Sequence, residues 1–137
     1  YPRFGSLRRS LVSFSNCIVA IYNLGVHASR VIESQGTNVP RTIFINIPVA
    51  DLDRSLRFYE AIGGRKEPKF SNDVAAMIVL SDAIRVMLLT HDFYSSFTGK
   101  PIADAHRTSQ VILCLSAGSP AEVDELAEAA RAAGGRI

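Results

Sequence analysis

Few residues in this chain have the chemistry to act on a substrate, and most of them sit in one stretch. His91 and Asp92 open a polar and aromatic segment, HDFYSSFTGKPIADAHR, and Asp104 and His106 close it. If those ends converged, two imidazoles and two carboxylates could hold a metal or pass a proton. Asp104 two residues before His106 could also orient an imidazole. A loop histidine beside an aspartate is, in the plainer reading, solvated or part of a turn. Two cysteines, Cys17 and Cys114, are too few and too far apart for a disulfide framework or a CxxC site. Cys114 lies in an apolar run and is expected to be a small buried side chain. No GxSxG, P-loop, HExxH or GxGxxG is present.

The elements that must position these groups are clearest in RTIFINIPVADLDRSLRFYEAIGG, Arg41 to Gly64. Thr42 to Ile47 alternates, with Ile43, Ile45 and Ile47 on one face and Thr42, Phe44 and Asn46 on the other, as a strand requires. Pro48 is expected to end the ladder because it has no N–H. Asp51 stands at an N-cap, and Leu52, Leu56, Tyr59 and Ile62 follow at helical spacing toward Gly63 and Gly64, a helix stop. Arg65 to Phe70 reads as an edge strand interrupted at Pro68. Val74–Leu80 and Ile84–Thr90 read as a hairpin around Ser81-Asp82-Ala83. The sum is β-α-β-β-β. Residues 91–107, broken by Gly99 and Pro101, then form a long loop of the kind that closes over a cavity. Phe93, Tyr94 and Phe97 would be its apolar surface.

Thr108 to Ser116 is another strand. A second helix follows, capped by Ser119 with Pro120 at its first position and Glu122 completing a capping box, and stopped by Gly134 and Gly135. Strand then helix repeats the order of residues 42–64. Overlaid at an offset of 66, Phe44 falls on Gln110, Ile47 on Leu113 and Val49 on Leu115.

"IPVADLDRSLRFYEAIG" resembles the first strand and helix of the vicinal oxygen chelate superfamily, through Val49, Asp51, Leu52, Ser55, Phe58, Tyr59 and Gly63. That group includes glyoxalase I, bleomycin- and fosfomycin-resistance proteins and extradiol dioxygenases. The resemblance runs more weakly from Thr42 to the last residue. It implies an α+β fold of paired βαβββ modules: residues 41–90 as the first, 91–107 as a loop, and 108–137 as a second module truncated after its helix. Such folds hold a divalent metal (Zn, Ni, Mn or Fe) in a cleft on four side chains, as a Lewis acid toward chelating oxygens. Carried over, the first ligand falls on Phe44, the second on Leu88 and the third on Gln110, with the fourth beyond Ile137. Hydrocarbon at two of those positions implies that the usual site is not built. The expected cleft is lined by Phe44, Asn46, Val86, Leu88, Thr90, Gln110, Ile112 and Cys114, an apolar surface with a few polar groups that suits a small organic ligand. The competing expectation is a metal-dependent lyase of the lactoylglutathione lyase type, or an extradiol dioxygenase, with Gln110 and loop histidines among its ligands.

The chain has 137 residues, 47% hydrophobic and 20% charged, the make-up of one globular domain. A net charge of +2, with no basic stripe, argues against nucleic acid. Residues 1–40 differ from the rest: acid-free until Glu33 and rich in serine, with Arg8-Arg9 before the apolar run Leu11–Val26 and the sequence Val26-His27-Ala28. They read as an extension: a mistranslated or disordered segment, a secretory or transit signal, or an added structural element. The run is too short and too polar to span a bilayer. A cytoplasmic location is expected without such a signal, and export or an organelle with it. A start at Tyr1 and an end just after a helix stop suggest a fragment. Its unpaired apolar sheet edges would lead it to aggregate or to pair with another chain, a homodimer being one such pairing.

Overall fold

The computed structural model describes residues 9–14, 17–23 and 41–136. Seven strands and three α-helices run in the order β1 (Arg9–Phe14), β2 (Cys17–Asn23), β3 (Ile43–Val49), α1 (Leu52–Ala61), β4 (Arg65–Glu67), β5 (Ala75–Val79), β6 (Ile84–Thr90), α2 (His91–Ser95), β7 (Val111–Ala117) and α3 (Pro120–Ala132). The fold is α+β. One mixed sheet has four strands in the order β3-β6-β5-β4, with β3 parallel to β6 and the other pairs antiparallel. A second sheet has the order β1-β2-β7, with β2 antiparallel to β1 and parallel to β7.

Helix α1 starts where Asp51 accepts the amide of Arg54 at 2.8 Å, one of the donors that a helix start leaves unpaired. It ends at Gly63, whose φ of +92° suits a residue without a Cβ. Helix α3 is bounded in the same way. Ser119 accepts from Glu122 N at 3.1 Å, and Gly134 has φ +94°. The closing bonds also match: Gly64 N donates to Tyr59 O at 2.9 Å and Gly135 N to Ala130 O at 2.8 Å. The capping box differs in one respect, since Glu122 reaches past the cap to accept from Gly118 N.

Phe58, Tyr59 and Ile62 from α1 pack with Ile47, Val49, Ala76, Ile78, Val86 and Leu88 from the four-stranded sheet. Val123 and Ala130 from α3 join the same core, and Val111, Leu113 and Leu115 of β7 lie against it. Both helices therefore share one apolar interior.

Three sequence-based expectations change. Pro48 does not end the ladder: β3 runs on through Pro48↔Leu89 to Val49↔Thr90. As the outer strand of its sheet, β3 can carry a residue with no N–H. The strand expected over 65–70 stops at Glu67, and Pro68–Phe70 form a 3-10 turn. Residues 9–14 and 17–23, expected to lie in an extension outside the domain, form an antiparallel pair of strands, and the second of them pairs with β7 along its whole length. A targeting reading of 1–8 and 24–40 lies outside the described residues.

Candidate functional site

Residues paired across a ladder share a face, so the register assigns every side chain of the four-stranded sheet to one side or the other. Ile45 pairs with Val86 and Ile47 with Leu88, and these make the face beneath α1. The opposite face is built in cross-strand rows. One runs Arg65–Val79–Arg85–Phe44, the next Glu67–Met77–Met87–Asn46, and the third Ala75–Leu89–Pro48.

This corrects part of the expected pocket lining. Val86 and Leu88 are 0% exposed in the core, on the far side of the sheet from Phe44. Thr90 shares their parity, beside Val49, and its hydroxyl accepts Phe93 N at 3.4 Å to cap α2. Arg85, Met87 and Leu89 hold the β6 places on the Phe44 side. The run Ile84–Thr90 is too uniformly apolar to show an alternation, and a slip of one residue exchanges the faces. Arg85 was the available signal: as the one charged residue of the run, it marks the solvent side.

Phe44 is 52% exposed at the open end of this face. Asn46 is exposed and donates to Phe44 O at 3.4 Å. Met77 and Met87 face each other across the ladder, Met77 buried and Met87 half-buried. Pro48 and Leu89 are buried although they lie on the side away from α1, and α2 packs against both β3 and β6 at that end. The start of the expected lid is therefore helix. Its Phe93 and Phe97 rings meet edge to face at 5.1 Å. Charge on the face is already engaged. Arg65 lies 3.7 Å from Glu67, and the Arg85 guanidinium donates to the carbonyls of Ser81 and Ile84.

On β7, Ile112 (59% exposed), Cys114 and Ser116 alternate with Val111, Leu113 and Leu115, which turn toward the core. Cys114 is thus exposed, not the small buried side chain expected. Because the N-caps Asp51 and Ser119 and the ends of β3 and β7 correspond, the offset between the two strand-helix units is 68, not 66. Ile112 takes the place of Phe44, and Gln110 precedes the strand. Its Oε1 is buried and has no hydrogen-bond partner among the described residues.

The polar loop residues do not assemble. Asp104 accepts His106 N at 3.0 Å through its side chain and Thr108 N at 2.7 Å through its carbonyl, which makes it a turn former. His91 and Asp92 occupy the exposed first turn of α2. Among the described residues no three of His, Cys, Asp and Glu come together as a metal could require. Of the residues that the resemblance puts at donor positions, Phe44 offers hydrocarbon and Leu88 faces α1, which leaves Gln110; the corrected offset sets Ile112, also hydrocarbon, against Phe44. On α3, Arg131 holds the Glu128 carboxyl below the ordinary carboxylate range by hydrogen bond and charge, but that pair is exposed and belongs to the helix surface.

No protein-family model and no curated protein matches the chain. A solved structure is similar: hypothetical protein SA1046 from S. aureus, with a TM-score of 0.58 and 21% identity, covering 71% of this chain and 72% of that one. At that identity the likeness speaks for the fold alone. Among the described residues, no helix is long and apolar enough to cross a membrane.

Proposed function

We propose that this chain is a protein of the glyoxalase/bleomycin-resistance/dioxygenase type, built on paired βαβββ units. In this reading it binds a small organic molecule on the sheet face away from α1, without metal chelation. The observation that carries the proposal is the register of β3, β6 and β5. It sets Phe44, Met77, Met87 and Asn46 together on the face that α1 leaves free. Thioethers and an aromatic ring supply polarisable apolar contact, and the Asn46 amide supplies direction. The β-α-β-β-β order of residues 43–90 supports the family reading. The proposal is for binding, and it assigns no reaction.

The test uses the chain's two methionines as reporters. With 13C-labelled ε-methyl groups, titration with an aromatic anion such as 8-anilinonaphthalene-1-sulfonate is expected to shift both signals. Saturable binding that leaves both methyls unmoved would remove this face as the site.

A second reading, the metal-dependent lyase or dioxygenase, has the buried Gln110 amide oxygen in its favour, an acceptor with no partner among the described residues. Elemental analysis separates the two. Stoichiometric Ni, Zn, Mn or Fe that is lost in Gln110→Ala would establish the metal protein and displace the first proposal.

A further inference from the structure

The two sheets repeat one pairing scheme. In the first, β3 runs parallel to β6 over seven pairs, from Ile43↔Ile84 to Val49↔Thr90. In the second, β7 runs parallel to β2 over seven pairs, from Val111↔Cys17 to Ala117↔Asn23. Strand β6 continues antiparallel to β5, and β2 continues antiparallel to β1. With Ile43 set on Val111, both parallel ladders begin and end at corresponding residues. The helix starts obey the same correspondence, through Asp51 with Ser119, and each helix stops at a positive-φ glycine, Gly63 or Gly134, although α3 has 13 residues and α1 has 10. Strand β4 opens at Arg65, directly after Gly64. Arg136, directly after Gly135, is likewise in a strand-type bridge.

We propose that the N-terminal hairpin is the closing pair of strands of a second βαβββ unit, whose opening strand and helix, β7 and α3, lie at the other end of the chain. Strands β1 and β2 stand to β7 as β5 and β6 stand to β3. The unit is permuted, and residues 9–14 and 17–23 are an integral part of it. Removal of a leader ending near Ala28 would take away two of the three strands in its sheet. The register has a consequence for binding. Ile18, Ala20 and Tyr22 hold the places beside Ile112, Cys114 and Ser116 that Arg85, Met87 and Leu89 hold beside Phe44, Asn46 and Pro48. Any ligand surface on the second sheet is therefore shared between the two ends of the chain. That last statement rests on the binding proposal above; the permuted pairing does not.

A crosslink tests the pairing without a ligand. Ala20 lies opposite Cys114, and paired strand neighbours fall within the Cα separation that a disulfide accepts, about 4.4–6.8 Å. In the full chain with Cys17→Ser, the substitution Ala20→Cys is expected to give a disulfide within one chain under mild oxidation with diamide. It would be seen as faster migration without reductant and as a joined peptide pair by mass spectrometry. Val19→Cys, one register position away, is expected to remain largely reduced. Absence of the Ala20→Cys crosslink, or a crosslink found only between chains, would overturn the proposal. Hydrogen exchange gives a second measurement: Ala20→Pro is expected to strip protection from Val111–Ala117 while residues 43–90 keep theirs. Unchanged protection of β7 would also count against it.

Discussion

The two strand-helix units, β3 with α1 and β7 with α3, are bounded by the same local chemistry and carry unequal shares of the interior. Each helix begins on a side-chain cap and ends on a glycine with positive φ. Yet β3 buries Ile47, Pro48 and Val49, whereas no residue of β7 is fully buried. Helix α1 contributes Phe58 and Tyr59 to the core, while α3 contributes Val123, Ala127 and Ala130. Caps and stops are therefore transferable between the halves, but packing is not. The first unit carries most of the hydrophobic stabilisation, and the second depends on what lies alongside it.

The sharpest way to break this comparison is to disturb the two faces of β6. Val86→Lys places an uncompensated charge in the core and is expected to cost about 3–5 kcal/mol. Met87→Lys, one position along on the open face, is expected to cost no more than about 1 kcal/mol. Urea denaturation of both variants checks this, and a larger loss for Met87→Lys would mean that the face assignment is inverted.

A smaller contrast concerns glycine. A Cβ at Gly64 would meet Ile78 Cγ2 at 2.5 Å and the Tyr59 carbonyl oxygen at 2.7 Å, and the latter is helix backbone that cannot yield. Gly64→Ala is expected to cost about 1–3 kcal/mol. Gly118→Ala meets only the mobile Glu122 carboxylate at 3.1 Å, and a change within about 0.5 kcal/mol is expected. Thermal melts of the two variants would show whether the first unit is the more tightly constrained.

The smallest effect tests what the halves share. Asp51→Ala and Ser119→Ala each remove one acceptor from a helix start, and each is expected to cost about 1 kcal/mol. Chemical denaturation giving unequal losses would show that the caps are not equivalent.

Much of the first unit was legible because its signals are local. The period of two over Thr42–Ile47, the Asp51 cap and the Gly63-Gly64 stop each act within a few residues. The hairpin at 75–90 was visible for the same reason. The site was less legible, since β6 is apolar on both faces and its parity is set by a partner strand far away in sequence. The overlay of the two units slipped by two residues because strand alternation is indifferent to even shifts. The caps Asp51 and Ser119, both readable in the sequence, fix the true offset. Residues 1–40 read as an extension, a targeting signal among its alternatives, because basic-then-apolar composition is common to signals and to sheet strands. Nothing near Cys17 points to Val111.

The parallel ladder between β2 and β7 joins segments that lie on either side of the first unit in sequence, and this bears on how the molecule is made. Contacts of such high sequence separation form slowly, because the intervening chain must be closed first. During synthesis residues 43–90 can collapse as soon as they emerge, whereas β1 and β2, made before them, must wait for β7, made after them. A nascent chain would thus carry two orphan strands until β7 emerges, a period in which chaperone help matters.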